Sequence, residues 1–376
     1  VPQFLPTRRA LLAGVAATTA GLALRPQPVQ AAAPQRATLK DPIRLFFNEN
    51  RYGPCEGAQR AIRESLHLSS RYASSDSISA LTRLIAEQEG LTPEHVLVTA
   101  GSFEALTLVT AEYATGGGGV VCARPSFPVV ADYAERVGGK VHRVPLDATL
   151  THDLAAMEAL VGADTKLVSV CNPNNPTGTV VDPVRLRAFC EAVAPRATVL
   201  VDEVYLNYLE PAPGQSMVDQ VRAGRNVIIT RSFSKIYGLA GMRVGYALAQ
   251  PHVVKRLAGL RMALPNPTAI MAALASLQDP LFLARMRKLT AESRKVTTRV
   301  LDELGMKYVG GHGNFLWIPL TAKQLDLPVR FAPHGFHLTT TPDVPISAEV
   351  SALRLTLGTV EEMRAFGPLL KNMLKT

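Results

Sequence analysis

The chain has 376 residues, 47% of them hydrophobic, with 40 Lys and Arg against 31 Asp and Glu and a formal net charge of +9. That length suffices for a large core and two domains, while the basic residues are scattered rather than gathered into a stripe with interleaved aromatics, which argues against a nucleic-acid surface. The four cysteines, Cys55, Cys122, Cys171 and Cys190, show no CxxC spacing, so they read as small buried or free thiols, not as a disulfide framework or a metal site.

Residues 1–33 read as a twin-arginine secretory signal. Thr7-Arg8-Arg9 precedes an uncharged, alanine-rich run from Ala10 to Leu24, and Ala31-Ala32-Ala33 offers a small-x-small cleavage site. The apolar run has 15 residues, short of the roughly 18 or more of a spanning helix; an uncleaved anchor is the alternative. The expectation is a protein exported to the periplasm with no stable membrane anchor. Residues 34–70 form an N-terminal arm with a helical pattern over Ala58 to Leu68, residues 71–277 a large domain, and residues 278–376 a smaller C-terminal one.

In the large domain, apolar β-branched runs at Val96-Thr99, Val120-Ala123, Lys140-Val144, Leu167-Cys171, Val199-Asp202, Val227-Thr230 and Val244-Ala247 predict strands. Helical patterns such as Phe103-Tyr113, Phe127-Val137 and Pro183-Ala194 fall between most of them. Short runs separated by crossovers predict a mostly parallel sheet covered on both faces, with ligands at the C-terminal ends of its strands. The glycine run Gly116 to Gly119 precedes a strand instead of following one, so it reads as a helix-ending turn and not a dinucleotide fingerprint. Gly101-Ser102-Phe103 does follow a strand and open a helix, which suits either a phosphate site or a plain helix cap.

Beyond residue 277 a charged helix over Leu281 to Leu304 leads to Gly310-Gly311-His312-Gly313-Asn314-Phe315-Leu316-Trp317-Ile318 and a strand from Leu353 to Thr359. His334 and His337 flank Gly335 with no third ligand in sight, so no metal is expected.

The chemistry centres on Arg231-Ser232-Phe233-Ser234-Lys235 and the following Arg243-Val244-Gly245. A lysine after a buried strand and near another cation would be partly desolvated, which lowers its pKa and frees the amine for Schiff-base chemistry. Ser232, Ser234 and Arg243 would donate to phosphate oxygens. A solvated loop with a snorkelling lysine is the bland alternative. Arg354 lies in an apolar strand pattern, where an unpaired cation is costly; it fits either a substrate carboxylate or a structural ion pair.

Asn174-Asn175-Pro176-Thr177-Gly178, Asp202-Glu203-Val204-Tyr205 and the Lys235 stretch occur in the order and spacing that resemble the class I/II aminotransferases, fold-type I enzymes using pyridoxal phosphate. Asn48-Glu49-Asn50-Arg51-Tyr52-Gly53-Pro54, Gly101-Ser102-Phe103-Glu104 and Leu353-Arg354-Leu355-Thr356-Leu357-Gly358-Thr359 resemble the histidinol-phosphate aminotransferase branch. The resemblance implies an α/β fold of that type, a mostly parallel seven-stranded sheet with a second, smaller α/β domain, and a homodimer. It implies that Lys235 holds pyridoxal phosphate, with Asp202 paired to its ring nitrogen. Tyr205 and Asn175 would donate to its phenolic oxygen, and Phe127 would cover its ring where the family often has tyrosine. Gly101, Ser102 and Phe103 would join the cofactor site, and Tyr72 would reach the neighbouring subunit's cofactor phosphate. Tyr52, Asn175 and Arg354 would meet the substrate.

These features lead to transamination between an amino acid and a 2-oxo acid. A decarboxylase or lyase of the same fold, histidinol-phosphate transamination proper, and a non-catalytic binder of the cofactor are the alternatives. One departure bears on the substrate: Gly335-Phe336-His337-Leu338-Thr339 places threonine where the histidinol-phosphate branch usually has a phosphate-binding arginine, which points to a non-phosphorylated amino donor unless Arg330 or His337 approaches the same space.

Overall fold

The seven apolar runs become seven strands of one sheet. In the computed structural model, which describes residues 42–209, 214–341 and 351–375, the strands are β1 (Ile43–Arg44), β2 (Val96–Thr99), β3 (Gly119–Arg124), β4 (Lys140–Pro145), β5 (Thr165–Cys171), β6 (Thr198–Asp202), β7 (Val227–Ser232), β8 (Gly245–Leu248), β9 (Phe315–Pro319), β10 (Phe336–His337), β11 (Thr340–Thr341) and β12 (Ala352–Thr356). The helices are α1 (Glu56–Glu64), α2 (Ser75–Glu89), α3 (Ser102–Ala114), α4 (Val129–Arg136), α5 (Leu154–Ala159), α6 (Pro183–Val193), α7 (Val218–Arg222), α8 (Pro251–Gly259), α9 (Pro267–Leu277), α10 (Pro280–Glu303), α11 (Leu327–Phe331) and α12 (Val360–Lys375). The expected signal at 1–33 and the first part of the expected arm, 34–41, lie outside the described residues.

The large sheet has the order β2-β8-β7-β6-β5-β3-β4, all parallel except β8, which runs antiparallel to β2 and β7. The expectation of crossovers needs correction at one place. No helical crossover separates β7 from β8; residues 233–244 contain only a short 3-10 turn at Ala240–Met242. Antiparallel neighbours need no crossover, so this loop, with Lys235 and Arg243 at its two ends, stays at the edge where β5 and β6 end.

Strand residues sort by a period of two onto two buried faces. Val199 and Val201 of β6 and Ile229 of β7 pack with Leu81 of α2, Leu186 of α6 and Ile270 of α9. Leu200 and Ile228 pack on the other face with Leu106 and Val109 of α3, Val130 of α4 and Leu257 of α8. Burial on both faces is why these strands read as continuous apolar runs. Three helices begin with the same pair of signals, a capping side chain and a proline in the first turn: Asp182-Pro183, Asn266-Pro267 and Asp279-Pro280, each cap accepting backbone amides. The arm's helix ends sooner than the pattern suggested, at Glu64, with a separate 3-10 turn at Leu66–Ser70. The glycine run terminates α3 as expected: Gly116 and Gly117 have φ of 78° and 93°.

A further sheet, β11-β12-β9, is antiparallel. Leu316, Ile318, Leu353 and Leu355 build a separate core there with Leu301 of α10 and Phe366 and Leu370 of α12. Residues 43–45 are tied into it: β1 pairs with β10, and the Thr356 amide donates to Leu45 O at 2.9 Å. That anchorage carries residues 46–49 across the end of the large sheet.

Candidate active site

A cavity of about 550 Å³ opens at that end. The parallel strands deliver Cys171, Asp202 and Ser232 from their last positions, and the β7–β8 loop adds Ser234, Lys235 and Arg243. Ser102 and Phe103 come from the start of α3, Phe127 and Asn175 from loops after β3 and β5, Tyr205 from the turn after β6, and Arg354 from β12.

Lys235 Nζ lies inside this cavity and donates to the Phe47 carbonyl at 2.9 Å, 5.9 Å from the centre of the Tyr205 ring. It is no snorkelling lysine. Burial, followed by the Arg354 guanidinium, lowers its pKa to about 8, with Arg243 pushing the same way. Asp202 lies deeper, its carboxylate accepting from Thr230 Oγ1 at 2.8 Å. Burial pushes its pKa up to about 6.

An anion cradle forms where α3 meets the β7–β8 loop. Helix α3 starts at Gly101 with no side chain capping its amides. Arg243, itself at φ 54°, donates to Ser234 Oγ at 3.3 Å and lies against Gly101 so closely that a Cβ there would come within 2.5 Å of its Nη2. Gly101, at φ 86°, is thus fixed for two reasons: its backbone conformation and the guanidinium packed on it. Gly101 does not itself line the cavity; it makes room for the residue that does. Helix amides, a guanidinium and the hydroxyls of Ser102, Ser232 and Ser234 are the donor set a phosphate ester needs.

The opposite side is arranged around Arg354. Its Nη1 donates to Asn175 Oδ1 at 2.8 Å and its Nη2 to the Phe46 carbonyl, while its buried Nε has no partner. Among the described residues these acceptors are neutral, which disfavours a structural ion pair. Burial lowers its pKa. Tyr205 OH accepts from Asn48 Nδ2 at 2.9 Å, which leaves the phenol's own proton to be donated elsewhere. Its pKa is raised by burial.

Besides Gly101, two expected residues do not line the cavity. Tyr52 does not line the cavity; its hydroxyl accepts from the Val360 amide at 3.0 Å, satisfying the start of α12. Tyr72 is 88% exposed and does not line the cavity of its own chain. Conversely, residues 46–49 contribute more than the sequence revealed. The carbonyls of Phe46 and Phe47 hold the two cations, Glu49 lines the wall, and Asn48, at φ 55°, is locked by Thr356 and Asn314. Backbone carbonyls leave no mark in a residue pattern, so nothing could have shown the first two.

Behind the site, Glu203 and Arg231 face away from the cavity and pair at 2.6 Å, their side chains 1% and 8% exposed. Ser216 Oγ and the Met217 amide donate to Glu203, and Arg231 also reaches Glu89 at 3.2 Å. This buried network ties the ends of β6 and β7 to α2 and to the segment before α7, one residue away from Asp202 and Ser232.

The residues present fit pyridoxal phosphate. The cradle suits its phosphate, Lys235 its carbonyl carbon, Asp202 its ring nitrogen, and Tyr205 and Asn175 its phenolic oxygen.

Comparison with known proteins agrees. Residues 40–366 match the family described as Aminotransferase class I and II. The chain is 34% identical to the histidinol-phosphate aminotransferase of Moorella thermoacetica, over 89% of this chain and 86% of that one. It is 33% identical to the aromatic amino acid aminotransferase of Mycolicibacterium smegmatis, over 88% and 89%. A crystal structure from Erwinia carotovora atroseptica superposes with a TM-score of 0.83 at 28% identity, covering 89% of this chain and 97% of that one. The Sinorhizobium meliloti histidinol-phosphate aminotransferase in complex with pyridoxal-5'-phosphate shares the fold, with a TM-score of 0.81 at 24% identity over 89% and 90%. The chain belongs to the class I and II aminotransferases, fold-type I enzymes that depend on pyridoxal phosphate.

Proposed function

We propose that this aminotransferase acts on a free, non-phosphorylated amino acid, passing its amino group to a 2-oxo acid. The observation that carries the reading is Arg354: a half-buried guanidinium with a buried Nε, whose protein partners are neutral oxygens, aimed across the cavity from the phosphate cradle. A substrate carboxylate supplies the missing anion and satisfies the unpartnered Nε.

Pyridoxal phosphate, when bound, serves as the electron sink for the bond broken at the substrate's α-carbon. The chain's own groups do the rest. Ser102, Ser232, Ser234 and Arg243 hold a phosphate, and Asp202 holds a proton at the ring nitrogen. Arg354 orients the carboxylate. Lys235 Nζ, with its lowered pKa, takes the α-proton as general base.

The cations of the cavity wall, among the described residues, are Lys235, Arg243 and Arg354, and each has a task; Glu49 adds a carboxylate. A substrate phosphate dianion would lack a guanidinium of its own and would face that carboxylate. Thr339 is exposed and bonds its neighbour's carbonyl. Arg330 reaches the Met373 carbonyl on α12, and His337 is exposed on β10; neither lines the cavity. Phe47 and Phe103, about half exposed at 54% and 52%, favour a donor with an aromatic or extended side chain.

Two further parts of the proposal concern setting. A homodimer would bring the exposed Tyr72 to a partner's cofactor, and Thr7-Arg8-Arg9 with the apolar run after it supports twin-arginine export. The test of the central reading is catalytic efficiency on histidinol phosphate against that on free aromatic and aliphatic amino acids. A clear preference for the phosphate ester overturns it.

A further inference from the structure

Thr230 lies directly beside the Asp202 carboxylate. It is fully buried in β7, where the register pairs it with Asp202 of β6. Its hydroxyl donates to one carboxylate oxygen, Oδ1, at 2.8 Å. At the other oxygen, Oδ2, stands the Cys171 thiol of β5, at 3.9 Å, a weak donor at long range. The two oxygens are therefore unequal: Oδ1 is tied to the sheet and Oδ2 is left to the cavity. A β-branched side chain is stiff in a strand, so the tie fixes direction as well as distance.

We propose that Thr230 is a positioning residue, holding Oδ1 so that Asp202 stays ionised with Oδ2 toward the cavity, and so sets the lowest pH at which the enzyme holds pyridoxal phosphate and turns over. The proposal rests on Asp202 being the partner of the cofactor's ring nitrogen. Its physical basis is that a buried carboxylate keeps its charge only through donors and nearby cations.

The groups around Asp202 come from each neighbouring element. Cys171 faces it from β5, Lys235 from the loop after β7, and Glu203 and Tyr205 follow it on its own segment. Burial raises the Asp202 pKa; Thr230 is the foremost influence lowering it, ahead of the Val204 amide and Lys235, while Glu203 raises it. Arg231 already pairs with Glu203, and the threonine hydroxyl, at 2.8 Å, is a far closer side-chain donor to Asp202 than the Cys171 thiol.

The experiment titrates cofactor-stripped full-length protein with pyridoxal phosphate from about pH 5.5 to 8.5, for wild type, Thr230→Val, Thr230→Ser and Asp202→Asn. Valine keeps the volume and removes the donor; serine keeps the donor. One unit of carboxyl pKa corresponds to about tenfold in affinity. The affinity ratio of wild type to T230V is expected to reach about tenfold at the acid end and to close toward unity at the basic end. T230S should follow wild type within about twofold. The titrations of Lys235 and of the cofactor itself are common to all variants and cancel in the ratio. In turnover, T230V should lose kcat on the acid side with KM for the amino acid unchanged. A ratio independent of pH, or T230S behaving like T230V, overturns the proposal and leaves a packing role. Thr230→Ala supplies a second donor-free variant, compared with T230S in the same way, should the valine protein not fold. Asp202→Asn separates the levels. Wild-type affinity in D202N overturns the reading of Asp202 itself, whereas loss in D202N with an unaffected T230V overturns only the role of Thr230.

Discussion

Arg354 and Asn175 meet at 2.8 Å, a half-buried guanidinium donating to a neutral side-chain amide. The contact joins β12 to the loop after β5, so residues far apart in sequence place one cation at the cavity wall. Neutral acceptors orient a guanidinium without neutralising it, and its full charge is kept for a ligand.

Arg354→Lys is the sharpest probe of that arrangement. Lysine keeps a charge but loses the planar fork that matches a carboxylate. The expected outcome is a fall of about 100-fold in kcat/KM for both amino acid and 2-oxo acid, about 3 kcal/mol of transition-state binding. Pyridoxal phosphate affinity should stay near wild type, because the cradle is on the other side. Steady-state kinetics with cofactor titration checks both; retained efficiency refutes the carboxylate role.

Lys235 sets a pH dependence whose sign can be worked out. Its folded pKa, about 8, is below the ordinary 10.5, so between those values the unfolded chain binds more protons. The stability of the cofactor-free protein should rise as pH passes from about 8 toward 10.5. The reactive free amine grows over a lower window, increasing about tenfold per pH unit below 8 and levelling above it. Stopped-flow capture of pyridoxal phosphate by cofactor-free protein should show that midpoint. Lys235→Ala should show no covalent capture and no transamination. A rate that keeps climbing toward pH 10 would contradict the desolvated amine.

Arg231→Met should cost about 3–5 kcal/mol of stability, because it leaves the Glu203 carboxylate buried without its cation. Replacing Glu203 by Leu in the same protein should recover part of that loss. Urea denaturation gives the answer through the midpoint at unchanged slope. A single variant within about 1 kcal/mol of wild type would show that the Ser216 hydroxyl and the Met217 amide hold the Glu203 carboxylate without the cation.

Under the proposed twin-arginine export, replacing Arg8 and Arg9 together by lysine is expected to trap active, cofactor-loaded enzyme in the cytoplasm, since such a route carries folded cargo. Fractionation followed by an activity assay measures this. Undiminished export would mean that another signal addresses the protein.

Much of this protein was legible in its residues because the relevant physics is local. The strands buried on both faces, edge strand β4 excepted, read as continuous apolar runs, cap-and-proline pairs marked helix starts, and Lys235, Asp202 and Arg354 were conspicuous as charged residues beside or within apolar strand patterns. The tertiary structure decided what depends on long-range juxtaposition. The antiparallel β8 was invisible because a buried strand has the same apolar pattern in either direction. Tyr52 drew attention by its motif, but its hydroxyl was already taken by the Val360 amide. The carbonyls of Phe46 and Phe47 that hold Arg354 and Lys235 belong to groups every residue carries, so only the path of the backbone could single them out. The Thr230 hydroxyl on Asp202 arose from strand register, which a sequence of separate runs does not specify.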